Sequence, residues 1–173
     1  VYGGTYSLPE VSDRDLMRRV LNDPQHLWLA AEDQGELVGT VLFQIDSAQR
    51  LGKAAAGVVS PDHRGHKLMV AIVERGLKWL LEESRQCDLV YAVVRTFISP
   101  EVHHDLKSLG FVDLGVFPNV RKLSRNEIHG LKVCYTPAAL AARRGPPHLT
   151  PQANRIYKIA RDRLDLEPAM VEY

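Results

Sequence analysis

AAAGVVSPDHRGHKLMVAIVERGLKWL, residues 54–80, decides the fold. Ala54–Val59 is a short apolar run of the kind that forms a buried strand. Pro61 cannot continue a central ladder, because it has no N–H to donate. Gly65, directly after Arg64, tolerates the positive φ that a tight bend requires. Beyond the turn, Leu68, Met69, Ile72, Leu77 and Leu80 recur at helical spacing. A strand that feeds a turn and then a helix N-terminus gathers unpaired backbone N–H groups and the positive end of a helix dipole. Such a place suits an anion.

The neighbouring segments extend this unit into an α/β sheet. Leu89–Val94 reads as a second buried strand, and the helical crossover between the two predicts a parallel pair. Upstream, Leu27–Glu32 and Glu36–Asp46 read as strands joined at Asp33-Gln34-Gly35. The second carries apolar residues on both faces, which predicts a central position. Ser47–Gly52 reads as a loop and Val1–Pro9 as another. Ser12-Asp13-Arg14-Asp15 opens a short helix that Pro24 stops. Ser99-Pro100 starts a helix ending at Gly110, with Ser99 as N-cap and Pro100 in the first helical position. Phe111–Phe117 and Leu131–Tyr135 predict a closing antiparallel pair around a long polar loop. Thr150-Pro151 begins a last helix whose outer face mixes Arg155, Lys158, Arg161, Asp162 and Arg163.

VVSPDHRGHKLM (58–69) resembles the acyl-CoA-binding signature of the GNAT N-acetyltransferases, V-x-P-x-x-R-G-x-G-x-G/A, at Val59, Pro61, Arg64 and Gly65. It departs from that signature at Lys67 and Met69. SLGFVDLG (108–115) resembles the helix-to-strand junction of the same family, and the element order from about Trp28 to Tyr135 matches. The family begins with one further strand and helix, which the sequence upstream does not supply. The resemblance implies a mixed α/β (α+β) fold with a mostly antiparallel sheet, a central splayed parallel strand pair and flanking helices. It divides the chain into an acyltransferase domain, 1–135, and a C-terminal helical extension, 136–173.

It also implies acetyl-CoA as the acyl donor. Its diphosphate would meet the turn at Arg64, Gly65, His66, Lys67 and Leu68, and its pantetheine arm the main chain at Val58 and Val59. Ser99 stands where many members place an Asn that contacts the cofactor. The splayed strand ends, near Val58-Val59 and Val93-Val94, would form the acyl slot. Members often carry a Tyr general acid three residues before the position of Leu109; here Leu106 stands there. Lys53 stands where some carry an acid on the strand that leads into the signature.

Direct acyl transfer to an amine requires deprotonation of the amine, polarisation of the thioester carbonyl, protonation of the departing thiolate and alignment of the reactants. The backbone N–H of Val59 is the candidate for polarising the carbonyl. Ser99 and His103 are the candidate catalytic side chains. His104 is a neighbour on the same helix, and His129 and Tyr135 are further candidates. Glu32 and Glu127 are candidate bases, alongside water. The expected acceptor is the primary amine of a small molecule or of an amino-acid-like compound.

The composition limits the alternatives. The 173 residues carry a formal net charge of +1, so bulk attraction to nucleic acid or membrane is not expected. Cys87 and Cys134 set no disulfide framework, and the two fit a reducing, cytoplasmic compartment. The seven histidines show no metal-ligand spacing. No apolar run reaches the ~20 residues of a membrane helix. A homodimer is left open. The competing readings are a degenerate module that binds CoA or a protein without transfer, and a nucleic-acid binder using the last helix. Mixed charge on that helix argues against the second.

Overall fold

The computed structural model describes residues 13–95, 100–117 and 128–171. The expectations for Val1–Pro9, Ser12, Ser99 and the polar loop through Glu127 fall outside these residues. The chain forms two compact units, residues 1–92 and 93–173.

In the first unit, α1 (Arg14–Leu21) is capped by Asp13, whose carboxylate accepts from the N–H groups of Asp15 and Leu16, each at 2.9 Å. β1 (His26–Asp33) and β2 (Glu36–Asp46) form an antiparallel hairpin. Gln34 and Gly35 both have positive φ, +50° and +87°, as a two-residue hairpin turn of matching twist requires. β3 (Leu51–Val59) lies antiparallel on the other side of β2, which is therefore central. β3 begins before Ala54, because Leu51 and Gly52 already pair with Asp46 and Ile45, so the expected loop is shorter.

α2 (Leu68–Leu77) follows the turn and runs into a π-helical turn, Lys78–Glu83. β4 (Leu89–Arg95) then pairs in parallel with β3, Leu51–Ala54 against Leu89–Ala92. The core holds Val41, Leu42, Phe43, Ile72, Val73, Leu77, Leu80 and Val90. Gly76 brings α2 so close to the sheet that a Cβ there would lie 2.2 Å from the Phe43 ring.

β4 continues into the second unit with Val93–Arg95. There α3 (Pro100–Ser108) leads to β5 (Val112–Phe117), antiparallel to β6 (His129–Tyr135). The sheet has six strands in the order β1-β2-β3-β4-β6-β5, mostly antiparallel with one parallel pair. This is the expected fold class. α4 (Pro137–Ala141) follows. β7 (His148–Leu149) pairs in parallel with β8 (Met170–Val171), two short strands that the sequence reading does not contain. Between them α5 (Pro151–Leu164) is capped by Thr150, as expected. Phe111 and Val133 are buried beside a charge, Lys132, which is 2% exposed and donates to Asp113. Arg163 of α5 donates to the other Asp113 oxygen at 3.2 Å, tying the helix to β5.

Candidate active site

The site is built on the far half of β3. Pairing with β4 ends at Ala54 and Ala92, and β3 runs on for Ala55–Val59. The β2–β3 register shifts between Thr40 and Leu42, which makes a bulge at Ala56-Gly57, with Ala56 at φ +48°. Beyond the bulge, Val58 faces Thr40 and Val59 faces Gly39. Ser60 donates its N–H to Val38 O at 2.8 Å. Since successive residues of a strand present their N–H and C=O to opposite edges, those of Val59 lie on the edge away from β2. Its carbonyl accepts from Arg64 Nε at 3.3 Å.

The turn folds back onto that strand. Pro61–His63 is one 3₁₀ turn, in which His63 N–H donates to Ser60 O and Arg64 N–H to Pro61 O. Gly65 has φ +81° with no atom within 4 Å of where a Cβ would sit, so conformation rather than space calls for glycine. Lys67 is the N-cap of α2, at φ +58° and with no side-chain cap. A lysine in this left-handed conformation costs roughly 1 kcal/mol, which gives a physical reason for glycine at this position in the signature. The other departure is compensated in packing. Met69 Sδ lies 3.2 Å from where a Cβ of Gly57 would be, so the large side chain on α2 uses the missing one on β3.

The residues present fit a diphosphate. The first-turn N–H groups of α2 lack intrahelical partners and point into the turn with the helix dipole behind them. Exposed Arg64, His66 and Lys67 add cationic or donor side chains. Val58, Val59, Arg64, Gly65, His66, Lys67 and Leu68 thus form one continuous strand–turn–helix.

Two cavities lie on the first unit. One, of about 330 Å³, is lined by Glu32, Asp33, Val38, His63, His66 and Leu68. In it His63 Nε2 lies 3.3 Å from Asp33 Oδ2, while the buried Nδ1 has no hydrogen-bond partner. Glu32 is exposed on its wall. The other, of about 360 Å³, is lined by Gln25, His26, Gln44, Asp46, Lys53 and Tyr91. Four of these stand on one cross-strand row: His26 opposite Gln44, Gln44 opposite Lys53, Lys53 opposite Tyr91. The sequence reading singled out Lys53 alone, because register across four strands has no local signal.

In the second unit His103 is half-buried on α3, and so is Leu106. His129 is buried on β6, and Tyr135 is half-buried, its phenol pushed up by that burial. Ser99 and Glu127 lie outside the described residues. Among the described residues no group of three His, Cys, Asp or Glu has the arrangement of a metal site, and no helix is long and apolar enough to cross a membrane.

A strand with an edge unpaired beyond Ala54, a bulge and a turn that opens onto a helix without a side-chain cap thus form one continuous surface. The model of the acetyltransferase (GNAT) family matches residues 4–111, more than half of the sequence, and the chain belongs to that family of N-acetyltransferases. No curated protein matches by sequence. Among solved structures it is similar to the Vibrio cholerae spermidine/spermine N-acetyltransferase SpeG crystallised with manganese ions. That likeness has a TM-score of 0.62 at 20% identity and covers 75% of each chain. A chimera of the V. cholerae enzyme and hSSAT gives a TM-score of 0.65 at 19% identity, covering 79% of this chain and 84% of the other. At these identities the likeness is one of fold.

Proposed function

We propose that this protein transfers an acetyl group from acetyl-CoA to the primary amine of a small-molecule or amino-acid-like acceptor, by direct attack in a ternary complex. One observation carries the reading: the free edge of β3 leads without interruption into a turn that ends on the N-terminus of α2, which has no side-chain cap. Acetyl-CoA supplies the activated thioester. The turn from Arg64 to Leu68 holds the diphosphate, and the free edge of β3 at Val59 aligns the pantetheine arm, since the main-chain groups of Val58 face β2. The Val59 N–H, on the edge away from β2, donates to the thioester oxygen as negative charge develops there. Arg64, by gripping Val59 O, fixes turn and strand as one piece. Ser99 and His103 are the side chains assigned to cofactor contact and proton transfer. Residues 1–135 form the transferase domain and 136–173 an extension. A small soluble acceptor, with neither nucleic acid nor membrane as partner, suits the near-neutral chain.

Thermal unfolding with acetyl-CoA, against desulfo-CoA and free phosphate, tests the reading. A saturable rise in Tm of several degrees with the CoA compounds alone is expected, because a ligand that binds only the folded state stabilises it. Arg64→Glu removes the rise. Release of free thiol with amines then establishes transfer. No rise with any CoA compound refutes the reading, and a rise without thiol release with any amine reduces it to binding.

A further inference from the structure

We infer that the acceptor carries a carboxylate, which Lys53 binds together with Gln44 and Tyr91 in the cavity on the first unit's sheet. The inference rests on the transferase reading for the identity of the bound molecule as acceptor, but its binding chemistry stands on the cavity alone.

The three side chains occupy consecutive positions of one row, on β2, β3 and β4. Each is half-buried and lines the same cavity of about 360 Å³. None makes a hydrogen bond or ion pair among the described residues. All three offer donors: an ammonium, an amide NH₂ and a phenol O–H. Three donors that face one cavity without a protein partner are open to a ligand, and a carboxylate supplies two oxygens with up to four lone-pair sites to meet them. The fourth member of the row, His26, is set apart: its Nδ1 lies 3.0 Å from Asp23 Oδ2, without the alignment of a hydrogen bond. The cavity's acid, Asp46, is exposed, and its Oδ1 accepts the Gln49 N–H at 3.0 Å. It stands two residues beyond Gln44, on the side away from Ala54. The end nearer the slot is therefore the donor end.

Position links this array to the reaction. Lys53 precedes the last residue of β3 that pairs with β4, and the unpaired stretch begins at Ala55. Two strand residues span about 7 Å, so a compact acceptor held at Lys53 reaches the start of the free edge with its amine. A polycation lacking a carboxylate meets an uncompensated ammonium instead. Polyamine acceptors, named for the similar structures, are thereby disfavoured.

The test pairs each amino acid with its decarboxylated counterpart: L-lysine with cadaverine, and L-ornithine with putrescine. Binding is measured by isothermal titration to the full chain, with and without saturating CoA, and acetyl transfer by thiol release. The carboxylate member of each pair is expected to bind about tenfold or more tightly, and Lys53→Gln to erase that preference. Lys53→Gln should leave the acetyl-CoA thermal shift unchanged, which separates a lost site from a misfolded chain. Equal binding of the two members, no binding by either amino acid in either condition, or a preference that survives in Lys53→Gln overturns the inference. Carboxylate preference without any effect of acetyl-CoA would uphold this site and refute the transferase reading.

Discussion

Two polar clusters, one in each compact unit, are handled in opposite ways. In the second, Lys132 is 2% exposed, yet its ammonium meets Asp113, and Asp113 in turn meets Arg163. The charge is buried and answered. In the first, His63 Nδ1 and Trp28 Nε1 are buried without partners, and the Lys53, Gln44 and Tyr91 side chains line one cavity without hydrogen-bonding to any described residue. Burying a polar group is unfavourable unless it is paired. The Lys132–Asp113–Arg163 network is therefore architecture, and the donors around Lys53 are where the proposed acceptor binds. The division predicts that damage to the second unit's network appears in stability, and that damage to the first unit's polar groups appears in binding. The apolar core of the first unit is the control.

The largest stability effect is expected in that core. A Cβ at Gly76 would lie 2.2 Å from one Phe43 ring atom and 2.4 Å from another, and Phe43 is fully buried with no room to retreat. Gly76→Ala should destabilise by about 3 kcal/mol, the upper range for overpacking, despite the better helix propensity of alanine. A lowered urea midpoint checks this. An unchanged midpoint would mean that α2 rides free of the sheet.

Asp113→Asn comes next and tests the second unit directly. Partial burial pushes the Asp113 carboxyl up, but Lys132 and Arg163 outweigh it and hold it below its ordinary value. A carboxyl depressed in the folded state stabilises above its unfolded pKa, about 3.9, and that contribution is lost as pH falls through the lower folded value. Asp113→Asn should therefore lose about 2 kcal/mol at neutral pH, less than a fully buried pair because the Asp113 side chain is 53% exposed. The gap from the parent protein should narrow below about pH 4 and close once the pH is below the lowered folded value. A gap that persists there would assign the loss to packing rather than charge.

Local signals in the chain made much of this legible. Pro61, Gly65 and the apolar spacing from Leu68 give the strand–turn–helix, and Thr150-Pro151 gives the start of α5, because caps and turns act within a few residues. The bulge at Ala56-Gly57 has no such signal: three alanines and a glycine fit a regular strand equally well, and only the register against Thr40 and Leu42 creates it. The π turn at Lys78–Glu83 keeps enough of the apolar pattern to read as ordinary helix. Lys53 was visible as a residue out of place, but Gln44 and Tyr91 become its neighbours only through pairing across three strands. Asp113 and Arg163, fifty positions apart, meet for the same non-local reason.

The smallest expected effect on stability lies at Lys67, where the comparison is most exacting. Lys67→Gly relieves a lysine at φ +58° but adds backbone freedom to the unfolded chain. The two terms oppose each other, and the net change should stay within about 0.5 kcal/mol. Binding is where the substitution should register, because the variant removes a cation from the turn while leaving its backbone conformation accessible. The acetyl-CoA titration should weaken several-fold, more at low salt than at high, as screening requires. Lys67→Asn tolerates the same φ and lacks the charge, so it should weaken binding to a similar degree, whereas Lys67→Arg should retain most of the affinity. If Lys67→Gly instead binds acetyl-CoA more tightly than the parent, the lysine sits at this position as a conformational burden. The attraction of the turn for an anion would then come from its backbone alone.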